Sequence, residues 1–192
     1  MNKSIKIQQD LKNLELYQKK ALNQYVSSNS LKAILLGILN NKGKHVRSQL
    51  VLMSAGATGK VNSNTFLAAT LIDFLHNATL LHDDVIDNET IRRNKPTINA
   101  QYGNKVSILS GDFLLSLGLS LSAKNNQLAL LQLISDTLIK ITDGELKQLK
   151  SGDATFTKKD YLEVIYKKTA SLFEASCKAG AMSTGSNEEE VQ

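Results

Sequence analysis

The sequence predicts an all-α protein. Apolar residues recur every three or four positions over long windows. Helix breakers are scarce, with a single proline at Pro96 and few glycines in 192 residues. No repeat, low-complexity tract or convincing strand pair interrupts the pattern.

The length suits one domain, residues 1–192, with a core of its own. Hydrophobic residues make up 42% and charged residues 21%, an ordinary globular mixture. The net charge of +5 fits anionic small molecules as well as nucleic acid. Aromatics are only 5%, which argues against a base-stacking platform. No recognition-helix or zinc-ligand pattern appears, so no nucleic-acid partner is expected. Cys177 is the only cysteine, which excludes a disulfide framework within the chain and suits a reducing cytoplasm. The N-terminus shows no signal-peptide h-region, and no run of about 18 apolar residues spans a membrane. Peripheral membrane contact stays open.

The elements follow in order. Residues 3–26 place Ile7, Leu11, Leu14, Ala21, Leu22 and Val26 at helical intervals. A short helix runs through Leu31, Ile34, Leu35 and Ile38, and a turn follows at Asn40 to Gly43. The third helix covers Lys44 to Ala57. Residues 63–86 read as one long helix with Leu67, Leu71, Phe74, Leu75, Ala78 and Leu81 inward. A polar stretch from Asn88 to Tyr102 carries the lone proline. Two more long helices span 104–124 and 127–150, and the turn Ser151-Gly152-Asp153 precedes a last strong helix at 158–183. Glu188 to Glu190 read as the first turn of a further helix, where acidic residues are favoured.

The sharpest chemical feature ends the fourth helix. At 100° per residue, Asp83, Asp84 and Asp87 fall within an arc of about 100°. Three carboxylates there repel one another and oppose the helix dipole. A divalent cation removes that repulsion, and Mg²⁺ typically bridges carboxylates to substrate phosphates. The plain alternative for so short a motif is a solvated helix end. Arg92 and Arg93 follow in the polar loop, and guanidinium groups match phosphate oxygens as paired donors. Lys44 and Arg47 share a face near a helix N-terminus, where backbone N–H groups also attract anions. His76 lies two turns before Asp83 on nearly the same face. One acidic cluster and two basic clusters suggest two diphosphates, one bound through metal and one held directly.

The stretch from Asp73 to Thr97 resembles the first aspartate-rich motif of the trans-isoprenyl diphosphate synthases, most of all their long-chain polyprenyl branch. Gly43-Lys-His-Val-Arg resembles that family's Gly-Lys-Arg-x-Arg-Pro motif. Gly111-Asp112-Phe113-Leu114-Leu115, Gly144-Glu145-Leu146 with Gln148, and Lys168-Thr169 match in the same order. The resemblance implies an isoprenoid-synthase-type helical bundle. It implies Asp83, Asp84 and Asp87 as ligands of Mg²⁺, and through it of an allylic diphosphate that Arg92 also contacts. Lys44, Arg47, His76 and Arg93 would hold isopentenyl diphosphate. Lys168 and Thr169 would face the leaving group and the developing allylic cation, and Gln148 is a further substrate-binding candidate. Ala78 and Thr79, small where short-chain members place an aromatic, would leave room for a long product. Tight helix packing against Ala78 is the competing account.

The chain departs from the family at His45 (usually Arg), Ser48 (usually Pro) and Asn94 (usually Gly). Ser48 is expected to relax a rigid turn. No second Asp-Asp-x-x-Asp follows Asp87, so the bundle is expected to be incomplete, missing its C-terminal helices. A shortened gene, a split gene whose other product completes the fold, and a trimmed piece all account for that. The last helix, with Leu162, Ile165, Leu172, Phe173 and Ala179, is expected to expose an apolar face for a partner chain. The helices at 104–150 would form the homodimer face usual in the family. Two functions stand open: a polyprenyl-type prenyltransferase, and a non-catalytic subunit that pairs with a complete synthase.

Overall fold

The computed structural model describes residues 3–39, 45–152 and 155–185. Lys44, the turn at Asn40 to Gly43, Asp153 and the helix start at Glu188 lie outside the described residues.

Nine α-helices occupy most of the described chain. They are α1 (Lys3–Tyr25), α2 (Asn29–Leu39), α3 (Val46–Thr58), α4 (Ser63–Ile86), α5 (Ile98–Tyr102), α6 (Asn104–Lys124), α7 (Leu128–Gln148), α8 (Lys158–Ile165) and α9 (Ser171–Met182). One strand pair joins α4 to α5: β1 (Ile91–Arg92) pairs antiparallel with β2 (Lys95–Pro96), so the polar stretch holds a short ribbon where no strand was expected. The last predicted helix is also divided. A π-helical turn, Tyr166–Ala170, joins α8 to α9. The π-helical turn carries no glycine or proline interruption that local pattern reading detects.

The fourth helix is the hub. Asn62 caps it, accepting from the backbone N–H groups of Asn64 and Thr65, while Thr65 accepts from the backbone of Asn62. This reciprocal box satisfies donors that a helix start otherwise leaves unpaired. Buried side chains then surround the helix on nearly every side, from Thr65 through Leu67, Ile72, Phe74 and Leu75 to Asp84. A helix that is apolar all round belongs at the centre of a bundle, and α4 packs on α1, α3, α6, α7 and α9.

Two glycines set the closest approaches. A Cβ on Gly180 of α9 would stand 2.3 Å from the Val51 carbonyl oxygen of α3, and one on Gly111 of α6 would stand 2.5 Å from His82 Nε2 of α4. By length and mean hydropathy (1.5) α6 could cross a membrane, but it is a wall of this bundle, with Ser107, Gly111, Leu114 and Gly118 buried. Ser48 is not in a turn. It occupies the first turn of α3, fully buried, and donates to Asp73. The last helix keeps more partners than expected. Leu172 and Ala179 are buried, whereas Leu162 and Ile165 remain exposed.

Candidate functional site

The end of α4 divides the three aspartates. Asp84 is buried and accepts at Oδ1 from Arg92, from Nε and Nη2 alike at 2.7 Å. Asp87 is the exposed C-cap residue. Asp83 is half-buried and turns toward Glu145 and Lys168. Two backbone bonds close the helix: Glu89 N–H to the Asp84 carbonyl (2.9 Å) and Asn88 N–H to the Val85 carbonyl (3.3 Å). Asn88 takes φ +54 between them, as a Schellman closure requires. The Asn99 side chain also donates to the Asp84 carbonyl at 3.1 Å.

The ribbon positions the two arginines. Arg93 and Asn94 form its two-residue turn, both in the left-handed region (φ +53 and +59). A hairpin of this type needs positive φ at both positions. Asn tolerates that conformation well, which explains why Asn94 can stand where the family usually has Gly. Arg93 takes it at a cost of about 1 kcal/mol, strain of the kind found at binding sites. The turn directs Arg92 back onto α4 and leaves Arg93 exposed at the rim.

Opposite the ribbon, Arg47 Nη1 lies 3.0 Å from His76 Nε2. A guanidinium can only donate, so Nε2 accepts and the ring proton sits on Nδ1. The guanidinium also stacks over the Phe173 ring at 4.7 Å, and its Nε is buried without a partner. Burial first, then the charges of Arg47, Arg93 and Arg92, push His76 down to about 3, so the ring is neutral. His45 holds the N-cap position of α3 at φ +47. Arg47, His76 and His45 line a cavity of about 850 Å³, with Asp73, Asp84, Arg92, Arg93 and Lys95 on its polar side and Ile34, Ile38, Leu80 and Tyr102 on its apolar side.

Across α4 from this cavity, Glu145 of α7 forms an ion pair with Lys168 at 2.6 Å. Lys168 and Thr169 both lie in the π-helical turn. Gly144 permits the close approach: a Cβ there would stand 2.8 Å from Lys167 Cβ and 3.1 Å from the Lys168 nitrogen. Lys167 meets Asp143 and Glu163, and Lys147 meets Asp160 and Glu163, tying α7 to α8. Gln148 is half-buried at the end of α7. Burial first, then Glu145, raises Asp83 to about 6; Asp87 adds to the rise, while Lys168 and Arg92 oppose it.

This excess of negative charge suits a hard divalent cation. Among the described residues no three His, Cys, Asp or Glu side chains converge as a ready-made metal cage. Asp83 and Asp87 would supply the protein oxygens, and water with diphosphate oxygens the remainder, which is the way Mg²⁺ is usually held. Ala78 is fully buried on α4 where α6 comes close, and its carbonyl would stand 3.2 Å from a Cβ on Gly111. Thr79 bonds the His76 carbonyl at 2.9 Å.

Sequence reasoning missed Asp73, Phe173, Asn99 and the ionic role of Glu145. Asp73 and Glu145 stood inside quoted motifs, and an acidic residue in a buried phase was the available signal. Phe173 and Asn99 reach the site only through tertiary packing.

Fold and site together define an isoprenoid-synthase-type helical bundle with acidic and basic clusters gathered at one end of α4. Residues 28–192 match the polyprenyl synthetase family model, and the chain belongs to that family, whose members depend on divalent metal. It is 38% identical to the octaprenyl diphosphate synthase of Escherichia coli K12 over 154 residues, which is 80% of this chain and 48% of that protein. It is 35% identical to the heptaprenyl diphosphate synthase component 2 of Bacillus subtilis 168 over 156 residues, 80% of this chain and 44% of that one. Among solved structures, the decaprenyl diphosphate synthase of Rhodobacter capsulatus superposes with a TM-score of 0.90 at 29% identity, covering 98% of this chain and 58% of that one. The chain thus spans about half the length of its curated relatives.

Proposed function

We propose that this chain carries the substrate-binding half of a prenyltransferase that joins isopentenyl diphosphate to an allylic diphosphate, lengthening a polyprenyl chain. One observation carries the reading: α4 holds cationic groups around a cavity on one face and carboxylates beside Lys168 on another.

Each group has a part. Arg47 and Arg93, with Lys44, hold the homoallylic diphosphate, while neutral His76 orients Arg47. Asp84 holds Arg92 beside the carboxylates, within reach of the allylic diphosphate. Asp83 and Asp87 would hold Mg²⁺, which when bound neutralises the diphosphate as it departs. Lys168 stands by to donate to the same leaving group, and Thr169 follows it in the π-helical turn. Buried apolar walls exclude water from the developing cation. Ala78 and Thr79 leave the elongation path without an aromatic floor. The product would serve as an isoprenoid side chain of the quinone type. The faces of α6 and α7, with exposed Leu109, Leu119, Leu128 and Ile139, suit a homodimer, and the cytoplasm suits the substrates.

A second reading comes from the likeness to a protein named heptaprenyl diphosphate synthase component 2: the chain would act as a scaffold or regulatory subunit beside a complete synthase.

The test is incorporation of labelled isopentenyl diphosphate into organic-extractable product, with Mg²⁺ and farnesyl or geranylgeranyl diphosphate as primer. Product from the wild-type chain that is lost in Asp83→Ala supports the enzyme. No product from soluble, folded chain favours the subunit reading.

A further inference from the structure

Asp73 lies on α4 one turn before His76, on the wall of the cavity, and the reading above assigns it nothing. Both of its carboxylate oxygens are occupied. Ser48 Oγ donates to Oδ1 at 2.6 Å, and Gln18 Nε2 donates to Oδ2 at 2.8 Å. The donors come from α3 and α1. Ser48 is fully buried and Gln18 is 5% exposed. Burying polar groups this deeply is costly unless they are bonded. Gln18 also precedes residue 28, where the family match begins, and Ser48 stands where the family usually has Pro.

Burial raises the Asp73 carboxyl, while the Ser48 and Gln18 hydrogen bonds, and then His45 and Arg47, oppose that rise and favour the charged form. Among the described residues, Arg47 nevertheless meets no carboxylate within ion-pair distance. Its neighbours are neutral His76 and the Phe173 ring. A free aspartate beside a half-buried guanidinium would swing into an ion pair, because such charge-assisted bonds are strong. We infer that Gln18 and Ser48 form a clamp that holds Asp73 away from Arg47, keeping the guanidinium available for a diphosphate. The clamp rests on the diphosphate reading above. It makes Asp73 a restrained competitor of the ligand and gives α1 a part in substrate affinity.

The test is isothermal titration of inorganic pyrophosphate into the full chain without metal, for wild type, Ser48→Ala, Gln18→Leu, Asp73→Asn and the double variant Ser48→Ala/Asp73→Asn. Thermal melts establish that each is folded at the assay temperature. Releasing Asp73 in Ser48→Ala or Gln18→Leu is expected to weaken pyrophosphate about three- to tenfold. Asp73→Asn binds at least as tightly as wild type, and the double variant returns to within about twofold of it. A purely structural role for the three residues would not be rescued by removing the charge. Should Ser48→Ala fail to fold, Gln18→Leu leaves α3 intact and supplies the same comparison. Unchanged affinity in both clamp variants, or weaker binding by Asp73→Asn, overturns the clamp while the site stands. Absence of pyrophosphate binding by the wild-type chain overturns the site reading and the clamp with it.

Discussion

Arg47 and His76 meet at 3.0 Å with the imidazole as acceptor, so the ring works as a neutral prop for the guanidinium. That pairing has a pH signature. Folding lowers the ring to about 3, whereas the unfolded chain titrates near 6.5. A histidine with a lowered folded pKa contributes stability that is fully present above the unfolded value. The contribution is lost as pH falls from 6.5 toward 3. Against His76→Gln, the wild type is expected to lose roughly 2–3 kcal/mol more between pH 7 and pH 4. Urea unfolding of both proteins across that range measures the difference. Parallel curves would mean that His76 titrates normally and holds Arg47 by other means.

Asp84 and Arg92 give a second expectation. The Asp84 side chain is 7% exposed and bonded by Arg92 through two nitrogens, while Arg92 is 40% exposed. Removing the arginine strands a buried carboxylate, and removing the acid leaves only a half-exposed cation. Arg92→Ala should therefore destabilise by about 2–4 kcal/mol and Asp84→Asn by distinctly less. Denaturant midpoints at pH 7.5 decide this, and equal losses would argue that the pair contributes through packing alone.

How much of this was legible in the sequence depends on how local the cause is. The bounds of α4 follow from the Asn62 capping box and those of α6 from apolar spacing, both written within a few residues of where they act. The aspartate cluster was legible as a cluster for the same reason. Its division was not: Asp84 turns to Arg92 because the ribbon brings that arginine back, and Asp83 faces Glu145 because α7 packs there. The ribbon itself needs a left-handed Arg93, a conformation that local preference disfavours and that the finished fold imposes. The π-helical turn is similar. Tyr166 to Ala170 reads as ordinary helix, and the extra residue per turn is accommodated against Gly144 and the Lys167 ion pairs.

Asp83 supplies a prediction of opposite sign to that for His76. Burial and neighbouring carboxylates raise it to about 6 from an ordinary 3.8. A carboxyl with a raised folded pKa favours the folded state only while protonated. Its contribution is present below 3.8 and is lost as pH rises through 6. At pH 7.5 the ion-free chain therefore carries a penalty of about 1–2 kcal/mol after allowance for partial exposure. Asp83→Asn should melt higher than wild type there, and at the same temperature as wild type near pH 4. Added Mg²⁺ should raise the melting temperature of wild type and leave that of Asp83→Asn nearly unmoved. A variant that responds to Mg²⁺ as wild type does would place the cation elsewhere.

Gly144 and Gly56 make a matched pair for the last prediction. Both lie within helices, so replacement by alanine gains up to about 1 kcal/mol from helix propensity at either position. Space separates them. A Cβ on Gly56 meets nothing within 4 Å, whereas one on Gly144 stands 2.8 Å from Lys167 Cβ and 3.1 Å from the Lys168 nitrogen. Neither neighbour is the free end of a flexible side chain, so α7 and the π-helical turn must move apart. That shift would lengthen the ion pairs of Lys167 with Asp143 and of Lys168 with Glu145. Gly56→Ala is expected to raise the thermal midpoint slightly. Gly144→Ala is expected to lower stability by about 1–3 kcal/mol, the usual cost of overpacking. It should also depress prenyl transfer more than substrate affinity, because Lys168 is displaced while the cavity around Arg47 is untouched. A Gly144→Ala protein as stable and as active as Gly56→Ala would show that the π-helical turn does not depend on this close approach.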